Sequence, residues 1–173
     1  MVIKVGDSIP SGVLTHVPYT PELDDHSVCG KPISFDPAEA WKGKKVILVS
    51  VPGAFTPGCH MTHLPPYIEK FEHLKEEHKV DEIAIVAGND AFVMSAWGRV
   101  TGGARKGVLF LSDNNAEYAS KMGLNLDGRG MARTKRFAIV INDNKVVYVG
   151  IDETGVDQSG VEAVMASTRL HVA

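Results

Sequence analysis

The sequence holds little cysteine: two residues in 173, Cys29 and Cys59, and nowhere Cys-x-x-Cys. That count excludes a disulfide-stapled secreted scaffold, and the missing dithiol motif excludes the small oxidoreductases that work through one. In a reducing compartment a transient, catalytic disulfide is expected rather than a standing one. Long apolar runs are missing too, and none approaches the roughly 20 residues needed to span a bilayer. Positive charge is not in surplus: 18 Lys and Arg stand against 21 Asp and Glu, a net charge of -3. That leaves no electrostatic footprint for nucleic acid. The first residues, Met1 to Asp7, show neither the apolar core of a signal peptide nor an Arg-rich transit pattern. His171-Val172-Ala173 is not a peroxisomal address. The cytoplasm is therefore the expected compartment. With no repeat, linker or low-complexity tract, the chain reads as one domain, residues 1–173, able to bury roughly 70% of its unfolded surface.

What is present concentrates in one stretch. Val46-Ile47-Leu48-Val49 reads as a buried strand, and it feeds Val51-Pro52-Gly53-Ala54-Phe55-Thr56-Pro57-Gly58-Cys59-His60. Thr56 suits an N-cap and Pro57 the first helical position, which puts Cys59 in the first turn. A thiol there lies among backbone N–H groups without intrahelical partners, at the positive end of the helix dipole. That favours the thiolate, the reactive form. Residue types alone leave two readings level: a thiol held ready to react, or a small buried hydrophobe behind an ordinary cap.

Along the rest of the chain, Ser8 to Tyr19 reads as an edge hairpin broken by prolines. Pro21 to Lys31, which carries Cys29 beside Gly30, reads as an exposed, mobile loop. Asp36 caps a short helix opened by Pro37. The helix from Cys59 is expected to reach about Lys79 with a kink at Pro65-Pro66, where backbone donors are lost. Strands are expected at Glu82–Ala87 and Val108–Leu111. A helix capped by Asp90 lies between them, and another, Asn115 to Met122, follows and ends at Gly123. Arg136–Ile141 and Lys145–Gly150 flank Asn142-Asp143-Asn144 as a hairpin, and Val161 to Leu170 closes the chain as a helix. This order implies an α/β fold, a central mixed sheet with helices on both faces, arranged like a thioredoxin fold.

Pro52-x-x-x-Thr56-x-x-Cys59 matches the active-site signature of the peroxiredoxins. The run PGAFTPGC with Thr62-His63-Leu64-Pro65 resembles the atypical, type-II branch, nearest its fungal members. The resemblance implies a thiol peroxidase that reduces hydrogen peroxide and alkyl hydroperoxides, with Cys59 as nucleophile. It implies that the Thr56 hydroxyl bonds to thiolate and substrate, that Pro52 packs over the cysteine, and that Arg136 before Phe137 supplies the cation. In fungal relatives a second cysteine lies about thirty residues before the first, as Cys29 does, and the disulfide joins two subunits. The resemblance therefore implies a homodimer with an intersubunit Cys29–Cys59 bond, recycled by thioredoxin, or by glutaredoxin or glutathione. No metal, haem or flavin is implied. Arg133 is a rival to Arg136, and Gly128-Arg129-Gly130 is too little for a phosphate loop. His60 and His63 read as helix-face residues that shape the pocket, and His26, His73 and His78 as solvated. Trp97 reads as core or interface. Two rivals remain: a peroxide sensor that relays a disulfide to a partner protein, and a metal-binding module using Cys59 and His63.

Overall fold

The structure is a computed structural model describing residues 1–126 and 132–169. The Gly128-Arg129-Gly130 run and His171–Ala173 lie outside the described residues. The chain opens with β1 (Leu14–His16), β2 (Ile33–Phe35), the short α1 (Pro37–Ala40) and β3 (Lys45–Ser50). A π-helical turn, Gly58–His63, then runs into α2 (Leu64–Glu69) and α3 (Phe71–Glu76). β4 (Glu82–Ala87), α4 (Ala91–Val100), α5 (Gly103–Lys106), β5 (Leu109–Ser112) and α6 (Glu117–Lys121) follow. Two two-residue strands, β6 (Asn125–Leu126) and β7 (Arg133–Thr134), precede β8 (Arg136–Asn142), β9 (Lys145–Asp152) and α7 (Val161–Arg169).

Seven strands form one sheet in the order β2-β1-β5-β4-β3-β8-β9, while β6 and β7 pair separately. β3, β4 and β5 run parallel and the remaining neighbours are antiparallel. The mixed sheet covered on both faces is thus what the element order implied. Alternation along the strands makes the two covers. Ile47, Val49, Ile83, Ile85 and Val140 face a core shared with Tyr67, Leu74, Trp97 and Val164. Their neighbours Val46, Leu48, Val86, Ile139 and Ile141 face Trp41, Tyr118 and Met122 on the other side. Side chains that point to opposite faces at successive positions fill both layers. Because β3 is buried throughout, its centre, Val46 to Val49, is a continuous apolar run, not an alternating one.

Local chemistry sets the ends of these elements. The Asp36 carboxylate accepts from Ala38 N, and that of Asp90 from Phe92 N and Val93 N, each satisfying donors at a helix start. Asp143 and Asn144 both lie in the left-handed region, at φ 46° and 62°, as the tight turn between twisted strands requires.

Several expectations need correction. β1 has no hairpin partner within 8–19; it pairs with β2, Leu14 opposite Phe35, on the far side of the Cys29 segment. That segment is exposed for the most part but tied down. Pro21–Asp24 forms a 3₁₀ turn with Leu23 buried, Arg99 donates to the Leu23 carbonyl, and Arg105 pairs with Asp24 at 2.8 Å. The long helix is three pieces and ends at Glu76. The π turn passes into α2 at Leu64, just before the prolines, with αR backbone throughout, and the one departure from helical backbone falls at Lys70 (ψ 12°). His78 is not solvated: it is buried, its Nδ1 2.6 Å from Thr168 Oγ1 on α7.

Candidate active site

The sheet register brings the site together. β3 and β8 are antiparallel neighbours with Ser50 opposite Phe137. Arg136, one residue earlier, therefore stands where Val51 and Pro52 leave the end of β3. The loop from Val51 is fixed on several sides. Thr134 Oγ1 donates to Val51 O at 2.8 Å, and Ala54 N to Asn89 Oδ1 at 2.9 Å. Phe55 lies at φ 61°, a left-handed conformation that costs a non-glycine residue energy and recurs at working sites. Its ring stacks on His60, whose Nδ1 accepts from Trp97 Nε1 at 2.8 Å. Trp97 itself is fully buried.

Cys59 is the second residue of the π turn and is 1% exposed. Leu64 N–H bonds back to Cys59 O, five residues earlier. Pro65 and Pro66 follow this turn. Neither can donate a backbone bond, so the carbonyls they would serve in a regular helix lose those partners. The expected cap is corrected too: the Thr56 hydroxyl donates to Gly53 O at 2.8 Å and does not accept from the helix N–H groups. Its lone pairs are left able to accept from elsewhere.

Arg136 Nη2 donates to Cys59 Sγ at 3.5 Å, and Nη1 donates to His63 Nδ1 at 2.9 Å. The guanidinium fork thus spans the sulfur and the imidazole. His63 Nε2 in turn faces Ser159 O at 2.9 Å. With Nδ1 accepting, Nε2 must carry the proton. His63 is 1% exposed; burial pushes its pKa down to about 4, with the nearby Arg136 charge adding to that and the bond to Ser159 opposing it. The ring is therefore neutral at ordinary pH, and both its nitrogens are occupied, which speaks against the Cys59–His63 metal pair. Pro52 and Arg136 also line one cavity of about 160 Å³, with Leu126, Lys135 and Glu153 at its walls.

The remaining expected residues are not gathered here. Cys29 is exposed, and both thiols are free. Arg133 is an exposed residue of β7. Sequence reasoning missed Ser159, Tyr67 and Asp152, whose contacts cross 92 or more positions of the chain in the first two cases. The spacing of Cys59 and His63, one helical turn apart, was the only signal for a shared partner.

A single buried thiol faced by a fixed guanidinium, mounted on this mixed sheet, defines a redox protein of thioredoxin-like fold. The chain belongs to the Redoxin family, whose profile matches residues 4–165, and within it to the peroxiredoxins. It is 47% identical over 166 residues to a Malassezia furfur protein described as a peroxiredoxin, covering 94% of this chain and 99% of that one. It is 42% identical over 166 residues to peroxiredoxin AHP1 of Chaetomium thermophilum, covering 94% and 93%. Among solved structures, reduced Prx3 of Vibrio vulnificus in complex with hydrogen peroxide superposes with a TM-score of 0.84 at 34% identity, covering 96% and 99%. Membership makes the chain a thiol-dependent peroxidase. No helix among the described residues is long and apolar enough to cross a membrane.

Proposed function

We propose that Cys59 is the peroxidatic cysteine, acting on hydrogen peroxide and alkyl hydroperoxides with Arg136, Thr56 and Pro52 as its partners. The observation that carries this reading is the 3.5 Å contact between Arg136 Nη2 and the sulfur of the buried Cys59. A fixed cation there stabilises the thiolate and the charge that develops on the leaving oxygen. Arginine stays charged throughout.

The thiolate attacks the distal oxygen of the peroxide. An S–O bond forms, the O–O bond breaks, and the leaving oxygen takes a proton to depart as water or alcohol. Sulfur is oxidised by two electrons to a sulfenic acid and the peroxide is reduced. Thr56, its proton directed to Gly53, has lone pairs for the peroxide O–H, and Pro52 shares the lining of a neighbouring cavity with Arg136. The Cys29 thiolate then attacks the sulfenic sulfur, a disulfide forms and water leaves. Thioredoxin is the proposed reductant, with glutaredoxin or glutathione as the alternative, in the cytoplasm.

Cys59 is buried and Cys29 exposed, so the π turn must open before the sulfurs meet, since a disulfide needs its Cα atoms within about 7 Å. We assign the bond to two subunits of a homodimer, as the resemblance to fungal members suggests. The test is peroxide-dependent NADPH oxidation with the thioredoxin system, compared with the glutaredoxin system. Steady turnover supports a peroxidase; fast oxidation of Cys59 without turnover by either system would make the protein a sensor.

A further inference from the structure

Asp152 ends β9, directly opposite Arg136 in the sheet register, yet its carboxylate is committed elsewhere. Oδ2 accepts from Asp157 N (3.1 Å), Ser159 N (2.8 Å) and Ser159 Oγ (2.6 Å), and Oδ1 accepts from Gln158 N (2.9 Å). Burial would raise its pKa, but these bonds outweigh it and hold the group below its ordinary value. Four donors converging on one carboxylate fold 157–159 into a fixed shape. That shape turns the Ser159 carbonyl toward the end of the π turn and the start of α2, where it accepts from both His63 Nε2 and Tyr67 Oη, the latter at 2.6 Å. Burial holds the Tyr67 hydroxyl well above its ordinary pKa, so it keeps the proton it donates.

We infer that Asp152 is a positioning residue for the peroxidatic centre, acting through the Ser159 carbonyl and the neutral His63 ring on the direction of Arg136. The chain of cause is continuous. The carboxylate fixes the loop, the loop fixes the carbonyl, the carbonyl fixes which His63 nitrogen carries the proton, and the bare nitrogen holds Nη1. Nη2 is then aimed at sulfur. Arginine has four single bonds before its rigid fork, so a charge alone would not hold Nη2 in place; a second fixed acceptor does. The inference rests on the reading of Arg136 given above.

The test uses the full chain in a Cys29→Ser background, following thiolate absorbance against pH and the rate of a single peroxide oxidation. Circular dichroism and thermal melts confirm that each variant is folded. Asp152→Asn places an amide against backbone N–H groups. It is expected to move the Cys59 ionisation midpoint to higher pH and slow peroxide at neutral pH about tenfold, within the range of coupled neighbours. Ser159→Ala, which keeps the backbone intact, is expected to do the same more weakly. His63→Leu should reproduce the full Asp152→Asn effect. His63→Asn, whose amide oxygen can stand in for Nδ1, should recover part of it. The deciding result is the double variant. Asp152→Asn added to His63→Leu should cost nothing further, whereas an undiminished extra loss means direct action on Arg136 and overturns the inference. Unchanged titration in both Asp152→Asn and Ser159→Ala overturns it as well. If Arg136→Ala also leaves the titration unchanged, the reading of Arg136 falls with it; if Arg136→Ala alone shifts it, only the role of Asp152 falls.

Discussion

The two cysteines occupy opposite kinds of ground. Cys59 lies in the core, in a π-helical turn, against a guanidinium held by a buried ring. Cys29 lies at the surface, in a segment tied down through Leu23 and Asp24 several residues away. On the proposed reading, one serves placement and the other reach. A displacement at oxygen needs alignment to a fraction of an ångström and a dry, charged surround. A sulfur that only has to find a sulfenic acid needs access and slack.

That contrast is broken most completely at the sulfurs. Cys59→Ser is expected to abolish peroxide consumption, while Cys29→Ser should take one oxidation and then stall with thioredoxin. Mass spectrometry of the two variants after one equivalent of peroxide checks this, and normal turnover by Cys59→Ser would end the assignment. Next in size is the cation. Arg136→Ala should slow peroxide about 10²-fold or more, the cost of losing one preorganised donor to developing charge. Arg133→Ala, exposed on β7, should stay within about twofold of the parent, as surface changes do. Stopped-flow rates in the Cys29→Ser background separate them. A covalent dimer on a non-reducing gel, seen in the parent after brief peroxide and in neither single-cysteine variant, would place Cys29 across a subunit boundary. A blocked-thiol monomer would place it within one chain.

A smaller effect concerns acid. An unfolded His63 takes a proton near pH 6.5, the folded one only near about 4. Between those values the unfolded chain binds the extra proton, so stability falls as pH falls through the window. At about 1.4 kcal/mol per pH unit the loss approaches roughly 3 kcal/mol below it. Urea midpoints of the parent and His63→Leu at neutral pH and near pH 4.5 measure it, and the variant should lack this part of the slope. Smallest is the tether of Cys29: Asp24→Asn removes the ion pair to Arg105 and should leave the oxidation rate of Cys59 unaltered, with only disulfide formation affected.

How far the sequence could be read followed the distance of the contacts involved. Buried strands, the Asp36 and Asp90 caps and the Asp143-Asn144 turn are local matters of side-chain type and φ, and all were legible. The partner of β1 was not, because Leu14 finds Phe35 by packing across an intervening loop. His78 has polar sequence neighbours but meets Thr168, 90 positions on, so its burial left no local trace. At the site, Pro52, Thr56, Cys59 and Arg136 were named from their motif. The shape of the turn was hidden, since a π register leaves no mark in local residue type. Asp152 and Ser159 lie in and beside a loop whose sequence, Glu153-Thr154-Gly155-Val156-Asp157-Gln158, announces only a loop.

On the proposed reading, the π turn is the backbone that has to come loose when the oxidised sulfur is handed on. Beyond Leu64 the chain is held by Tyr67 on the Ser159 carbonyl and by the packing of Phe71 and Leu74. Between Gly58 and His63 the ladder is wide, in the π register that is rare and marks working sites. Amide protons of those six residues should therefore exchange with solvent well ahead of those of Tyr67 to Glu69, with the boundary falling at a pair of residues that carry no amide proton at all.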